Sequence, residues 1–571
     1  MSESVLTVTA GSTTLLFNAA IRMLDDAGSV ADALAWRDQR LIAVGRHADV
    51  VREAGPGAEN YDARGATVLP GFIDAHQHPS IAALYGGGVL LTPPAVSDIA
   101  TLQRTLADAS AALPAGEWLV ATDWDEGMLA ERRPPTRHEL DDAVPDRPLF
   151  ALHYTCHRAL ANSRALELAG IDAATPEPAG GAISRGSRGL PDGLLIERGM
   201  SRVESLARAS LCARDVEGFF ARLGKHYRDL AAAGITRVVD AAVPRDLAEL
   251  YREAQRRGLV TIPTLLMPVS TAGYLEPPWD ALEGPVTGAT DGLLTVGPLK
   301  LVLDGAPGCA MCLDWWQLAG ASLSSFALSV QRGSLDPLRL ALSLKPRFGR
   351  KLRTGIKLCP PAEARDLVRS AAERGFAVAT HAEGNEAIAD ALSAYEGSAS
   401  ALDRGGPPRL EHMIFAGREL CGRIAGTGAA AVVQPYFLSL PAFANAPSIP
   451  GLATKPLRWL LDAGVVVAGS SDFPVTGFDP LDGIRAAVRR KREPDQELTI
   501  EEALALYTRN AARAIGAYGE CGSLEAGKRA DLVVIDGGLA SYADLQAARV
   551  RATIVGGAVA YGRIQPHHFS R

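Results

Sequence analysis

Residues 69–79 read Leu-Pro-Gly-Phe-Ile-Asp-Ala-His-Gln-His-Pro: an apolar run, then Asp74, then His76 and His78 separated by one residue. In an extended strand, residues two apart point the same way, so both imidazoles face one point. Two nitrogen donors converging on a point suit a divalent metal such as zinc. A strand end carrying two surface histidines is the plain alternative, because a short motif alone has a large false-positive risk. The rest of the chain weighs against it by supplying further donors in the order a barrel requires.

From residue 68 onward, eight apolar runs read as strands, mostly separated by helix-like stretches: 68–73, 235–239, 260–267, 299–303, 377–380, 409–413, 430–433 and 465–468. Eight is the number a TIM barrel needs, and such barrels carry their sites at the C-terminal ends of the strands. The first run leads into His76 and His78, and the fourth contains Lys300 and ends at Asp304. The fifth ends at His381, the sixth at His412 and the eighth at Asp472. Any one of these alone would be an ordinary polar residue at a strand end. Together they bring four imidazoles, a lysine and two carboxylates to one rim.

The gap between the first and second runs, about 80–234, must be an insertion with structure of its own. It holds strand candidates at 118–121 and 149–153 and a helical stretch at 201–231. A rival count would place those two strands in the barrel. Short β-branched runs separated by turn signals fill 5–67 and recur at 530–536 and 550–560. The expected architecture is therefore α/β: a (β/α)8 TIM barrel over 68–519 with a small β-sandwich built from both termini, 1–67 and 520–571.

With 571 residues, 47% of them hydrophobic and a net charge of −7, the chain reads as globular and not as a nucleic-acid binder. No apolar run reaches the ~18 residues of a membrane helix, so no membrane partner is expected. The start, Met-Ser-Glu-Ser-Val, lacks the basic opening of a secretory signal. Seven cysteines, an odd number, fit a reduced cytoplasmic protein better than a disulfide framework. Cys309 and Cys312 have no second pair and read as ordinary thiols.

The whole pattern resembles the amidohydrolase superfamily. The resemblance rests on Leu69 to His78 as the first-strand metal motif and on Gly522-Ser-Leu-Glu-Ala-Gly-Lys-Arg-Ala-Asp-Leu-Val-Val-Ile-Asp536 as the return to the small domain. Within it the chain is most similar to the YtcJ-like branch, amidohydrolase family 3, which includes N-substituted formamide deformylases. The local marks are Pro135-Thr136 with Leu140-Asp141, His157 followed by Asn162-Ser163, Lys300 with Asp304-Gly305, and Ser471-Asp472-x-Pro474-Val475. The resemblance implies His76, His78 and Asp472 around an inner metal and His381 and His412 around an outer one. Lys300, carboxylated by CO₂, would bridge two zinc ions. If only one metal binds, Lys300 is a residue for a substrate carboxylate. The sequence departs from the branch at Ala382-Glu383-Gly384-Asn385, where an apolar residue, Gly and Asp are usual, and at Ala306-Pro307, where Ser is usual.

A metal lowers the pKa of its water from about 15.7 towards about 7, giving a hydroxide nucleophile. Asp472 is expected to take the proton and pass it to the leaving nitrogen of an amide, N-formyl or carbamate group. A lactone or ester hydrolase or a decarboxylase on the same metals is the alternative chemistry, and an inactive barrel scaffold the alternative class. His157, Trp124 and Asp304 are the expected substrate contacts. His153 reads as structural, because the Glu of a His-Glu-x-x-His motif is missing. Residues 332–357 carry eight basic side chains, Arg339, Lys345, Arg347, Arg350 and Lys351 among them, against the one acid Asp336. That stretch suggests a lid or dimer contact favouring small anionic substrates, and the family resemblance implies a homodimer.

Overall fold

Gly71 divides one apolar run between two bodies. In this computed structural model, Thr67–Pro70 pairs antiparallel with Leu532–Asp536, whereas Phe72–Gln77 pairs parallel with Ile235–Val243. A Cβ on Gly71 would stand 2.2 Å from the Thr236 side chain, so only glycine passes between the two sheets. The barrel strand therefore begins at residue 72, and residues 68–70 of the run expected to open it belong to the small domain. The structure describes residues 12–564 apart from 272–275, 277, 306–308, 336, 339–346, 348, 399–406, 441–442 and 444. Ala306, Pro307, Asp336, Arg339 and Lys345 of the sequence reading lie outside the described residues.

The small domain is one sheet built from both termini. Its order runs Arg40–Gly45, Val30–Arg37, Thr13–Arg22, Thr67–Pro70, Leu532–Asp536, Arg549–Val555, Ala558–Gly562, with Glu59–Asp62 also beside Thr13–Arg22. The period of two decides which body each residue serves. Leu532 and Val534 join Leu34, Trp36 and Ile554 in the small domain's core, while Val533 and Ile535 face the barrel's large apolar core.

Each of the eight predicted runs carries a barrel strand. Phe72–Gln77, Ile235–Val243 and Thr264–Pro268 pair in parallel. Leu299–Val302, Val378–Ala382, Arg409–His412, Ala430–Val433 and Val467–Gly469 form the second parallel series. The fourth position is a broken strand: Leu294–Val296 pairs with the third, then Gly297–Pro298 intervenes before Leu299 pairs with the fifth. Closure falls at the proposed site, where the Asp472 amide donates to His76 O at 2.8 Å and the His78 amide to Phe473 O at 2.7 Å.

The insertion forms a separate sheet in the order Gly181–Arg185, Pro191–Glu197, Arg158–Ala161, Leu149–His153, Leu119–Trp124, Val89–Leu90. That removes the rival count, since both disputed strands lie in this sheet. The helix Val216–Ala232 closes the insertion, burying Phe219, Leu223, Tyr227 and Leu230 at helical spacing. Among the described residues no helix is long and apolar enough to cross a membrane.

Candidate metal centre

The centre is built upward from Asp74. Its Oδ2 accepts from Gln77 Nε2 at 2.9 Å and Ser471 Oγ at 2.6 Å, and its Oδ1 from the amides of Ser471 and His76 at 3.1 and 3.2 Å. One carboxylate thus ties the end of the first strand to the residue before Asp472. Beyond it, His76 turns its Nδ1 onto Glu411 Oε2 at 2.5 Å. The carboxylate fixes the proton on Nδ1 and leaves Nε2 with a lone pair. Burial alone would raise the Glu411 pKa, but Arg409 and His76 outweigh it and hold the group down at about 2. Arg409 donates to Glu411 Oε1 at 2.9 Å and to Ala75 O at 2.7 Å. Asp240, from the second strand, accepts from the Ser80 amide and the Tyr251 hydroxyl and so fixes the chain just past His78.

Around this frame the imidazoles converge. Asp472 Oδ1 lies 3.1 Å from His78 Nε2 and 3.3 Å from His76 Nε2, and Oδ2 lies 3.8 Å from His412 Nδ1. Ring centroids are 4.8 Å apart for His76 and His412, and 4.3 Å for His381 and His412. His412 and Asp472 adopt φ of 73° and 60°, a left-handed backbone that costs a non-glycine residue energy and is concentrated at functional sites. Burial drives both the His381 and His412 pKa values well below the usual range, helped by His157 and Lys300 for His381 and by His381, His76 and Lys300 for His412. Asp472 stays ionised: burial opposes it, but the surrounding histidines hold its pKa well below that of an ordinary carboxylate.

The donor set fits a divalent cation. His76 Nε2, His78 Nδ1, His381 Nε2 and Asp472 Oδ1 are all buried without a hydrogen-bond partner. Orphaned polar atoms in such number are costly unless a ligand satisfies them. His76, His412 and Asp472 place donor atoms within 4.8 Å of one another, and neutral imidazoles with a carboxylate are the ligands zinc takes. Lys300 is buried behind them, its pKa brought down to about 8 by burial against the attraction of Glu411 and Asp472.

The remaining predicted residues separate. His157 reaches in from the insertion sheet, 5.3 Å from the His381 ring, with its Nδ1 3.1 Å from Glu197 Oε1. Burial lowers its pKa, but the Glu197 charge and hydrogen bond, with Glu383 and Asp472, raise it to about 9. Asp304, expected as a substrate contact, is fully buried, and its oxygens accept from the amides of Ala310, Glu383 and Gly384. It anchors loops beside His381, 3.7 Å away. Trp124 walls no pocket. Strand alternation turns it into the insertion's own core, where the indole N–H meets Ala151 O at 3.0 Å.

His153 lies against Trp124, its Nδ1 2.8 Å from Thr155 Oγ1 and its Nε2 2.7 Å from the Arg158 guanidinium. Arg158 also grips Glu126 with both of its terminal nitrogens. In the basic stretch, Lys351 pairs with Asp314, Arg353 with Glu386, and Lys357 with Asp390. Sequence reasoning missed Glu411, Arg409, Glu197, Asp240, Gln434 and Lys455. The one available signal was the alternation Arg409-x-Glu411, two opposite charges on one face of a strand that is buried throughout.

A family model described as the amidohydrolase family matches residues 59–561. The chain is 32% identical over 565 residues to an N-substituted formamide deformylase of Arthrobacter pascens, covering 96% of this chain and 98% of that one. It is 26% identical to YtcJ of Bacillus subtilis (strain 168), over 94% and 97% of the two chains. A crystal structure of an uncharacterized metal-dependent hydrolase from Pyrococcus furiosus covers 93% of this chain and 100% of its own, with a TM-score of 0.66 at 21% identity, a likeness of fold. A barrel with a two-ended β domain, imidazoles at its rim and relatives matching nearly end to end lead to one conclusion: the chain belongs to the amidohydrolase family, in its YtcJ-like branch.

Proposed function

We propose that the protein hydrolyses a carbon–nitrogen bond other than a peptide bond, in an amide, N-formyl or carbamate group, at a zinc centre held by His76, His78, His381, His412 and Asp472. The observation that carries this reading is the set of buried, unpartnered atoms His76 Nε2, His381 Nε2 and Asp472 Oδ1, in a site where His76, His412 and Asp472 bring ligand atoms within 4.8 Å of one another. A divalent cation there would acidify a water molecule and polarise a carbonyl. The work of the chain's own residues follows from their geometry. Glu411 keeps the proton on His76 Nδ1. Asp472, ionised and facing three imidazoles, takes the proton of the attacking water and returns it to the leaving nitrogen, the step an amide needs most. His157, protonated by its pairing with Glu197, offers a charged N–H donor to the substrate from the insertion.

Lys300, with its pKa near 8, keeps a share of neutral amine at neutral pH. That is the form able to add CO₂, and carboxylation would replace a repelled cation by an anionic bridge between two metals. Similarity to a formamide deformylase supports a small acyl group on nitrogen. The test is turnover by zinc-loaded protein of N-substituted formamides beside matched esters, with formate and amine quantified. Release of both from the formamides supports the reading. Turnover of the esters alone would replace it.

A further inference from the structure

A second lysine lies under the same centre, and neither the sequence motif nor the proposed chemistry uses it. Lys455 is fully buried, in a loop after the seventh strand. Its peptide is pinned on both sides, the amide donating to Ile414 O at 2.7 Å and the carbonyl accepting from Arg490 at 2.8 Å. The ammonium forms no ion pair with a carboxylate among the described residues. It donates to His412 O at 2.8 Å and to Gln434 Oε1 at 2.7 Å, and its remaining side faces the Phe437 ring, 4.7 Å from the centroid. The buried Nζ is thereby surrounded by neutral groups, two hydrogen-bond acceptors and a ring face.

The consequence reaches His412 through Gln434. The Gln434 atom that Lys455 meets is the amide oxygen. The other end of the amide agrees, since Nε2 donates to Ser470 Oγ at 3.0 Å while that hydroxyl donates to Val433 O. The same Oε1 lies 3.2 Å from His412 Nδ1. A nitrogen facing a pure acceptor must carry the proton, which leaves the lone pair on Nε2. We infer that Lys455 is a positioning residue that fixes the Nδ1–H tautomer and the backbone of His412, orienting Nε2 as the ligand of the metal centre. The inference rests on the metal reading above. A ligating imidazole is commonly oriented by an acceptor on its other nitrogen, and loss of that partner typically costs about 10–100-fold in metal affinity.

The test is cobalt(II) titration of the full chain, read by its visible absorption. Lys455→Met is expected to weaken cobalt binding by about 10–100-fold and to alter the band, and Gln434→Leu to do the same. In the double variant Lys455→Met/Gln434→Glu a carboxylate accepts from Nδ1 without help, so affinity and band should recover. A Lys455→Met protein that binds cobalt as the wild type does overturns the inference, as does a loss that Gln434→Glu fails to recover. If Lys455→Met does not fold, wild-type affinity in Gln434→Leu overturns it alone. A wild-type chain that binds no cobalt refutes the metal centre itself, and the inference falls with it.

Discussion

At the scale of single residues, the account assigns separable tasks to side chains that sit together. Asp472→Asn keeps an oxygen for the metal but removes the base, so turnover is expected to fall by about 10²–10⁴-fold while elemental analysis still finds metal. Loss of metal along with activity would make Asp472 a ligand only. His157 supplies a pH signature. Its pKa in the fold is about 9, above the ordinary 6.5. Its protonated form and the stability it contributes are therefore complete below about 6.5 and lost as pH rises through about 9. The kcat/KM profile should show a falling limb near 9 that disappears in His157→Gln, and an unchanged limb would reject the role. His76, His78, His381, His412 and Asp472 were legible in the sequence because each stands at the end of an apolar run. Glu411 was not, since its partner His76 lies 335 residues away. Lys455, a lone lysine in a loop, carried no signal at all. Trp124 misled for a reason of geometry: position at a strand end does not say which way a side chain turns.

At the scale of elements, the rim is stiffened by charges inside the barrel. Arg409 and Glu411 share one face of the sixth strand and are both fully buried. Arg409→Met strips the buried Glu411 carboxylate of its guanidinium partner, leaving it His76 alone, and should cost about 3–5 kcal/mol in urea unfolding, while Arg409→Met/Glu411→Leu should recover part of it, less the cost of a His76 Nδ1 left without its acceptor. Equal loss in both would assign the cost to packing. The strands themselves were readable because parallel barrel strands are buried on both sides and run as unbroken apolar segments. Boundaries were harder: nothing in the composition of 67–77 announces that Gly71 passes the chain from one sheet to another. The insertion's two inner strands, Leu119–Trp124 and Leu149–His153, looked like barrel strands because they too are buried on both faces, and only their pairing tells them apart.

At the scale of the whole molecule, the first and last barrel strands are joined through Asp74, Ser471 and the His76–Asp472 backbone contact, so the candidate metal site lies on the closure of the barrel. Metal binding should accordingly stabilise the entire fold. Zinc at a thousandfold excess over its Kd should add about 4 kcal/mol, raising the calorimetric Tm, and chelation should reverse it. The measurement that bears most directly on the central claim is metal content per chain by elemental analysis, with protein prepared with and without bicarbonate. The account predicts about two zinc ions per chain with bicarbonate, fewer in Lys300→Ala and fewer still in His76→Ala. A chain that binds no metal under either condition, and gains no activity when zinc is added, would contradict it.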